Sequence, residues 1–310
     1  MDKLGIVRNG LFEAEQIISK KHYPLATQLI HLVQDHIISS LTTKLALLDL
    51  LHRIWKADRN AQHFHPSLPT IAEVEDIART AFPIVIITKQ DCVDKDGTVI
   101  WGYVTPPTIA SSICPPIFIN ELFKVYLEEN PPDTFVLRQL FFAITLIHEF
   151  SHSLSLRLLG PNVKTPPETG PASGSGCGEG GWFVEQTLFG GDLWLELQKV
   201  DYQAVLGGVF SQPDNPSKFL VVTPQIAAAT FNSFSTATII PIKCPEEETP
   251  LFASPEPLPH VVRMCVTEGG KTCSPVTTPS TSSSTIGLGI IGIVGRPDSI
   301  LIRTGRDHRV

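Results

Sequence analysis

The stretch Phe135–Leu159, FVLRQLFFAITLIHEFSHSLSLRLL, is apolar on nearly every side of a 3.6-residue helical repeat. A helix of that kind is buried on most of its faces, so the rest of the chain has to pack around it. Asp133, behind Pro131-Pro132, is placed to cap its start, and Gly160-Pro161 stops it. Inside this apolar element sit His148, Glu149 and His152. Burying three such side chains is costly unless each finds a partner, and a metal ion is one partner that would offset the cost.

The spacing of the three is informative. Histidines at i and i+4 lie one above the other on a helix face, so His148 and His152 can hold one ion between their imidazoles. Glu149 points along a different azimuth, which suits a general base acting on water beside the metal rather than a ligand. Ordinary residue frequencies make a chance His-Glu-x-x-His in a chain this long an event of order one in a hundred.

A catalytic zinc takes three protein ligands and leaves one position open. Gly178-Glu179-Gly180-Gly181-Trp182-Phe183-Val184-Glu185 offers two carboxylates at the start of a short helix read over Gly181–Phe189 and ended by Gly190-Gly191. The two are six residues apart, about 240° around an ideal helix, so only one can face the ion. Glu179 stands between glycines that let the backbone approach a metal closely. Glu185 shares a stripe with Trp182 and Phe189, as expected of a carboxylate held in the core against a histidine ring or a backbone amide.

The HEFSH helix, followed by Gly178-Glu179-Gly180 and Trp182, resembles the gluzincin branch of the zincin metallopeptidases, in particular fungalysin-type enzymes. Cys177–Gly191, with its Leu-Phe-Gly-Gly ending, is also similar to an uncharacterised group of fungal zincin-like proteins. The resemblance covers Ile117–Gly191. It implies an α+β, zincin-like fold with N-terminal helices, a small twisted mixed sheet, the buried active-site helix, and a lower subdomain carrying the third ligand. It further implies one Zn2+ per chain on His148, His152 and Glu179, with Glu185 the alternative third ligand, and a peptide or protein substrate hydrolysed with Glu149 as base.

Two features depart from the family pattern. Gluzincins place an aspartate four residues after the ligand glutamate to orient a histidine, and Phe183 stands there in this chain. The donor that stabilises the tetrahedral intermediate has no clear counterpart, Tyr202 and His260 being the candidates. These departures keep open a zincin-fold binding protein without turnover, and a non-peptidase metallohydrolase of small amides or esters is a second alternative.

The remaining sequence bounds the protein more loosely. With 310 residues, 42% apolar and 18% charged, the chain can bury a sizeable core. The formal charge of −7 comes without a basic stripe, which argues against nucleic acid as a partner. The longest clean apolar run, Ile286–Gly295, is too short for a membrane span and reads as a buried strand. MDKLGIVRNG has no apolar signal-peptide core, which points to an intracellular protein. The six cysteines, Cys92, Cys114, Cys177, Cys244, Cys265 and Cys273, form no CxxC pair and read as reduced thiols.

Three regions are expected: helices over 1–80, a catalytic core over 81–240, and an irregular region over 241–310 containing the Ser/Thr/Pro tract of Ser274–Thr285. Helical spacing extends from Gly10 to Arg59, including Ile17 and Ile18, with a break at Pro24. Ile84–Thr88 and Thr98–Val104 read as a hairpin around Asp94-Lys95-Asp96-Gly97, and Ile117–Ile119 as an edge strand on which an extended peptide could pair. A helix is expected over Glu121–Glu129, helical or mixed structure over Leu193–Val209, and a solvated loop at His63-Phe64-His65-Pro66, where the HxH pair is a weak metal candidate.

Overall fold

A computed structural model of the protein describes residues 6–10, 13–18, 23–88, 101–105, 113–124, 126–127, 134–169, 178–198, 205–212, 215–243, 256–257, 291–292 and 299–303. The architecture is α+β, dominated by helices with small sheets, one of them mixed. Among the described residues no helix is long and apolar enough to cross a membrane. Asp133, Tyr202, His260, the turn at 94–97, Ser274–Thr285 and every cysteine except Cys114 lie outside the described residues. Cys114 is a buried free thiol.

The first helices are α1 (Pro24–Ser39), α2 (Leu41–Ala57), α3 (Arg59–Phe64) and α4 (Ile71–Thr80). Pro24 opens α1 at its first turn, where a missing N–H costs nothing, instead of dividing two helices. Ser40 caps α2 by accepting from Thr43 N at 3.2 Å, and Thr70 with Glu73 forms a capping box on α4. Leu29, Val33 and Ile37 of α1 and Leu51 and Ile54 of α2 are buried as the helical spacing predicts, but Leu41 and Leu45, read on the same stripe, are exposed, and Leu47 and Leu50 complete the buried face of α2 in their place.

The helical reading fails over Glu13–Ile18. Ile6–Gly10 (β1) and Glu13–Ile18 (β2) are antiparallel strands, with Val7 opposite Ile17 and Ile6 opposite Ile18. These β-branched residues fit a pleated surface, and that tertiary pairing overrides the helix preference of the Glu-Ala-Glu-Gln that precedes them.

Both strands belong to a five-stranded mixed sheet completed by β3 (Val85–Thr88), β4 (Gly102–Val104) and β5 (Ile117–Asn120), in the order β2-β1-β3-β5-β4. The expected hairpin of β3 with β4 is therefore incorrect, because β5 lies between them, parallel to β3 and antiparallel to β4. Nor is β5 an edge. Pro115-Pro116 falls just ahead of it, so every strand residue keeps its donor, and Ile117 N bonds Ile84 O at 2.9 Å. The outer described strand on this side is β4.

Of the helix expected over Glu121–Glu129, the described residues show a short turn, α5 (Leu122–Lys124), and a helical turn at Tyr126 and Leu127. Asp192–Gln198 (β6) and Val205–Gln212 (β7) are strands where Leu193–Val209 had read as helical or mixed. Leu193 and Leu195 are buried and Trp194 is less so, the period-2 alternation of a half-covered strand. They join β8 (Asn215–Val221) and β11 (Ser299–Arg303) in an antiparallel sheet of order β11-β6-β7-β8. Ile291–Gly292 (β10), inside the run read as a strand, pairs with Glu256–Pro257 (β9).

At the centre is α6 (Phe135–Leu159), buried at every residue except Phe135, Val136 and Arg157. It packs against β4 and β5, against α1, α2 and α3, and against α7 (Gly180–Phe189) and α8 (Pro224–Asn232). Trp101, Phe123 and Phe141 fill the seam between sheet and helix with edge-on ring contacts near 5 Å, such as 5.2 Å for Trp101 with Phe141. Gly160, at φ 100°, ends the helix.

Candidate metal centre

Two elements build the centre. His148, Glu149 and His152 project from α6, while Glu179 stands at the N-cap of α7, its carboxylate accepting from Gly181 N and Trp182 N. That cap satisfies two of the orphan donors of α7 and fixes the glutamate where the two helices meet.

The side chains converge. His148 Nε2 and His152 Nε2 are 3.4 Å apart, and Glu179 Oε1 lies 3.3 Å from the first and 2.5 Å from the second. Four-coordinate zinc with bonds of 2.0–2.1 Å places its ligand atoms about 3.3 Å from one another. Two of the three separations match that tetrahedron, and the third is a hydrogen bond that a metal would open. Among the described residues these three form the group able to hold a metal ion, and all are buried.

Glu185, the other candidate ligand, lies on the far side of the ring. His148 Nδ1 donates to Glu185 Oε1 at 2.5 Å, each side chain about 1% exposed. The HxH pair stays apart from the cluster. His65 contacts Ser67 O and the Glu73 carboxylate, and His63 is exposed on α3.

Electrostatics follow from this packing. Burial disfavours the His148 cation, but the Glu179 and Glu185 carboxylates outweigh it and hold its pKa well above the ordinary value. Burial also disfavours the Glu179 anion, yet His148 and His152 pull its pKa well below the usual carboxylate range. Glu149 moves the other way: burial pushes its pKa up to about 7, against the pull of the two histidines.

Two glycines shape the centre, and sequence reading had assigned neither a role. A Cβ on Gly181 would fall 2.3 to 2.4 Å from His148 Cδ2, Cγ and Nε2, so the ring lies directly on the α7 backbone. A Cβ on Gly102 of β4 would fall 2.8 Å from Glu149 Cγ. The signal for Gly102 was a lone glycine in an otherwise strand-like Trp-Gly-Tyr-Val, a mark of close backbone approach.

No family model matches the chain, and no curated protein or solved structure matches it significantly.

Proposed function

We propose that the chain is a zinc-dependent hydrolase of zincin type that cleaves peptide bonds, with His148, His152 and Glu179 as ligands and Glu149 as general base. The observation that carries this reading is the convergence of two imidazole nitrogens and one carboxylate oxygen around an i, i+4 histidine pair, with two of the three separations at tetrahedral spacing. A mixed sheet above the helix and a following helix that brings the third ligand support the zincin comparison.

A zinc ion on this triad supplies a Lewis acid, lowering the pKa of a water towards about 7 and stabilising charge that develops on the substrate carbonyl. Glu149 does the proton work. A carboxylate beside the metal can accept a proton from attacking water and return it to a leaving amine, and burial, which raises the Glu149 pKa in the metal-free protein, opposes the lowering that a nearby cation would cause. Its burial keeps bulk water from competing for that proton, and its place next to His148 on α6 sets it beside the reacting centre.

One observation favours a second reading, hydrolysis of small amides or esters. His148, Glu149, His152 and Glu179 are 1%, 0%, 5% and 4% exposed, a closed setting that suits a compact substrate better than a folded protein.

Elemental analysis of purified protein tests the metal: close to one zinc per chain is expected, and it should be lost in His152→Ala. Glu149→Gln should keep the zinc while turnover on a panel of peptide and ester substrates falls at least about 100-fold, the scale of general-base loss. A normally folded wild type without zinc would sink the reading, and zinc without turnover on any substrate would favour a binding protein.

A further inference from the structure

We infer that Glu185 is the positioning residue for His148, taking over the orienting role for which Phe183 stands at the wrong place. The inference rests on the metal reading above and deepens it.

An imidazole that ligates through one nitrogen carries its proton on the other, and whatever accepts that proton fixes both tautomer and ring angle. Glu185 Oε1 is 2.5 Å from His148 Nδ1, so Nδ1 is the donor there, and Nε2, facing His152 Nε2 and Glu179 Oε1, is the nitrogen left to lose its proton and ligate. Phe183 points elsewhere: it is only partly buried, and its ring lies under the Arg53 guanidinium at 4.7 Å. The carboxylate two residues further along α7 reaches the ring instead.

A single short helix thus grips both nitrogens of one imidazole. Glu179 at its N-cap meets Nε2, Glu185 almost two turns later meets Nδ1, and Gly181 between them leaves room for the ring against the backbone. The same arrangement removes Glu185 as a ligand. A carboxylate bound at Nδ1 lies on the opposite edge of the ring from the point where the other donors meet.

Zinc dissociation constants, measured by competition with a chelator, test the assignment in Glu185→Ala, Glu185→Gln and Glu179→Ala. Loss of a carboxylate that supports a ligand weakens zinc by about 10 to 100-fold, whereas loss of a ligand costs several powers of ten. Glu185→Ala should fall in the first range and Glu179→Ala in the second. Glu185→Gln keeps an acceptor oxygen and should recover part of the affinity. Wild-type affinity in Glu185→Ala would overturn the inference, as would a loss equal to that of Glu179→Ala.

A second measurement needs no metal. The His148 Nδ1 proton should appear in the NMR spectrum of the metal-free protein as a far-downfield, exchange-protected resonance, absent from Glu185→Ala. Its absence from the wild type would refute the contact. A wild type that binds no zinc but shows this proton would sink the metal reading alone.

Discussion

Gly102 lies flat against the side chain of Glu149: a Cβ there would stand 2.8 Å from Cγ, 3.0 Å from Oε1 and 3.1 Å from Cδ, the three nearest heavy atoms. The backbone at Gly102 is not in the left-handed region, so alanine fits the strand and its conflict is with Glu149. Gly102→Ala should therefore leave zinc content unchanged and displace Glu149, the proposed base. A misplacement of about 1 Å can cost on the order of 100-fold in rate. In metal-free protein the substitution should lower stability by roughly 1–3 kcal/mol, an overpacking cost. That cost should vanish when Glu149 is also alanine, a coupling that a double-mutant cycle of urea unfolding measures. Equal costs in both backgrounds would mean the contact is unimportant.

Glu149 also makes the metal-free protein's stability depend on pH. Its folded pKa of about 7 lies above its ordinary value of 4.5, so the folded state holds the proton more tightly than the unfolded chain. The stability this contributes is complete below about pH 4.5 and is lost as the pH rises through about 7. The shift corresponds to about 3 kcal/mol. Glu149→Gln carries no such proton, so the mutant should gain on the wild type by up to that amount between pH 4 and pH 8 in urea unfolding of the metal-free proteins. A constant difference across that range would contradict the burial argument.

Legibility from sequence tracked locality. α6 could be read because one long element carries its own stop signal and is apolar all round, although its N-cap is Thr134, with no side-chain cap bond, where Asp133 was expected; α7 could be read because glycines bracket it. The order β3-β5-β4 could not, because a parallel pair joins segments some 30 residues apart (Val85 with Ile117) and leaves no local signature. β6 was hidden by leucine, glutamate and glutamine, which favour helix, while its period-2 burial emerges only once β7 and β11 flank it. In the centre, residue types and the i, i+4 spacing pointed to His148, His152 and Glu149. Choosing between Glu179 and Glu185 needed the path of α7 across the ring, a tertiary fact. Gly102 is more distant still, since nothing in the sequence brings β4 onto Glu149.

A second pH dependence comes from His36, buried in α1 with Nδ1 2.9 Å from Phe234 O and Nε2 2.9 Å from Thr43 Oγ1. Burial lowers its pKa, with the Phe234 carbonyl opposing. The folded state therefore resists protonation that the unfolded chain accepts, and stability present above about pH 6.5 should be lost as pH falls towards the depressed folded value. His36→Gln keeps hydrogen-bonding capacity without a titrating proton. The wild type should lose up to about 1.4 kcal/mol per pH unit relative to this variant below pH 6.5. Parallel pH curves for the two proteins would show that His36 does not titrate differently on folding.

Gly181 offers the counterpart to Gly102 on the opposite side of the centre. A Cβ there would lie 2.3 to 2.4 Å from three atoms of the His148 ring, too close for either to remain in place. The ring cannot swing aside cheaply, because Glu185 holds its Nδ1 and α6 is buried around it. Gly181→Ala must then push α7 away from α6 or turn His148 from the point where its Nε2 meets His152 and Glu179. Either movement separates the donors, since Glu179 travels with α7. The expected result is loss of zinc with all three ligands still in the sequence, whereas Gly102→Ala should keep zinc and lose turnover. Pairing Gly181→Ala with His148→Ala separates the steric cause from a general weakening of α7. If the ring is the obstacle, the stability cost of the alanine, measured by urea unfolding without metal, should largely disappear once the ring is gone. If the cost persists, helix packing elsewhere is responsible, and the close fit of His148 on the α7 backbone is not what holds the centre together.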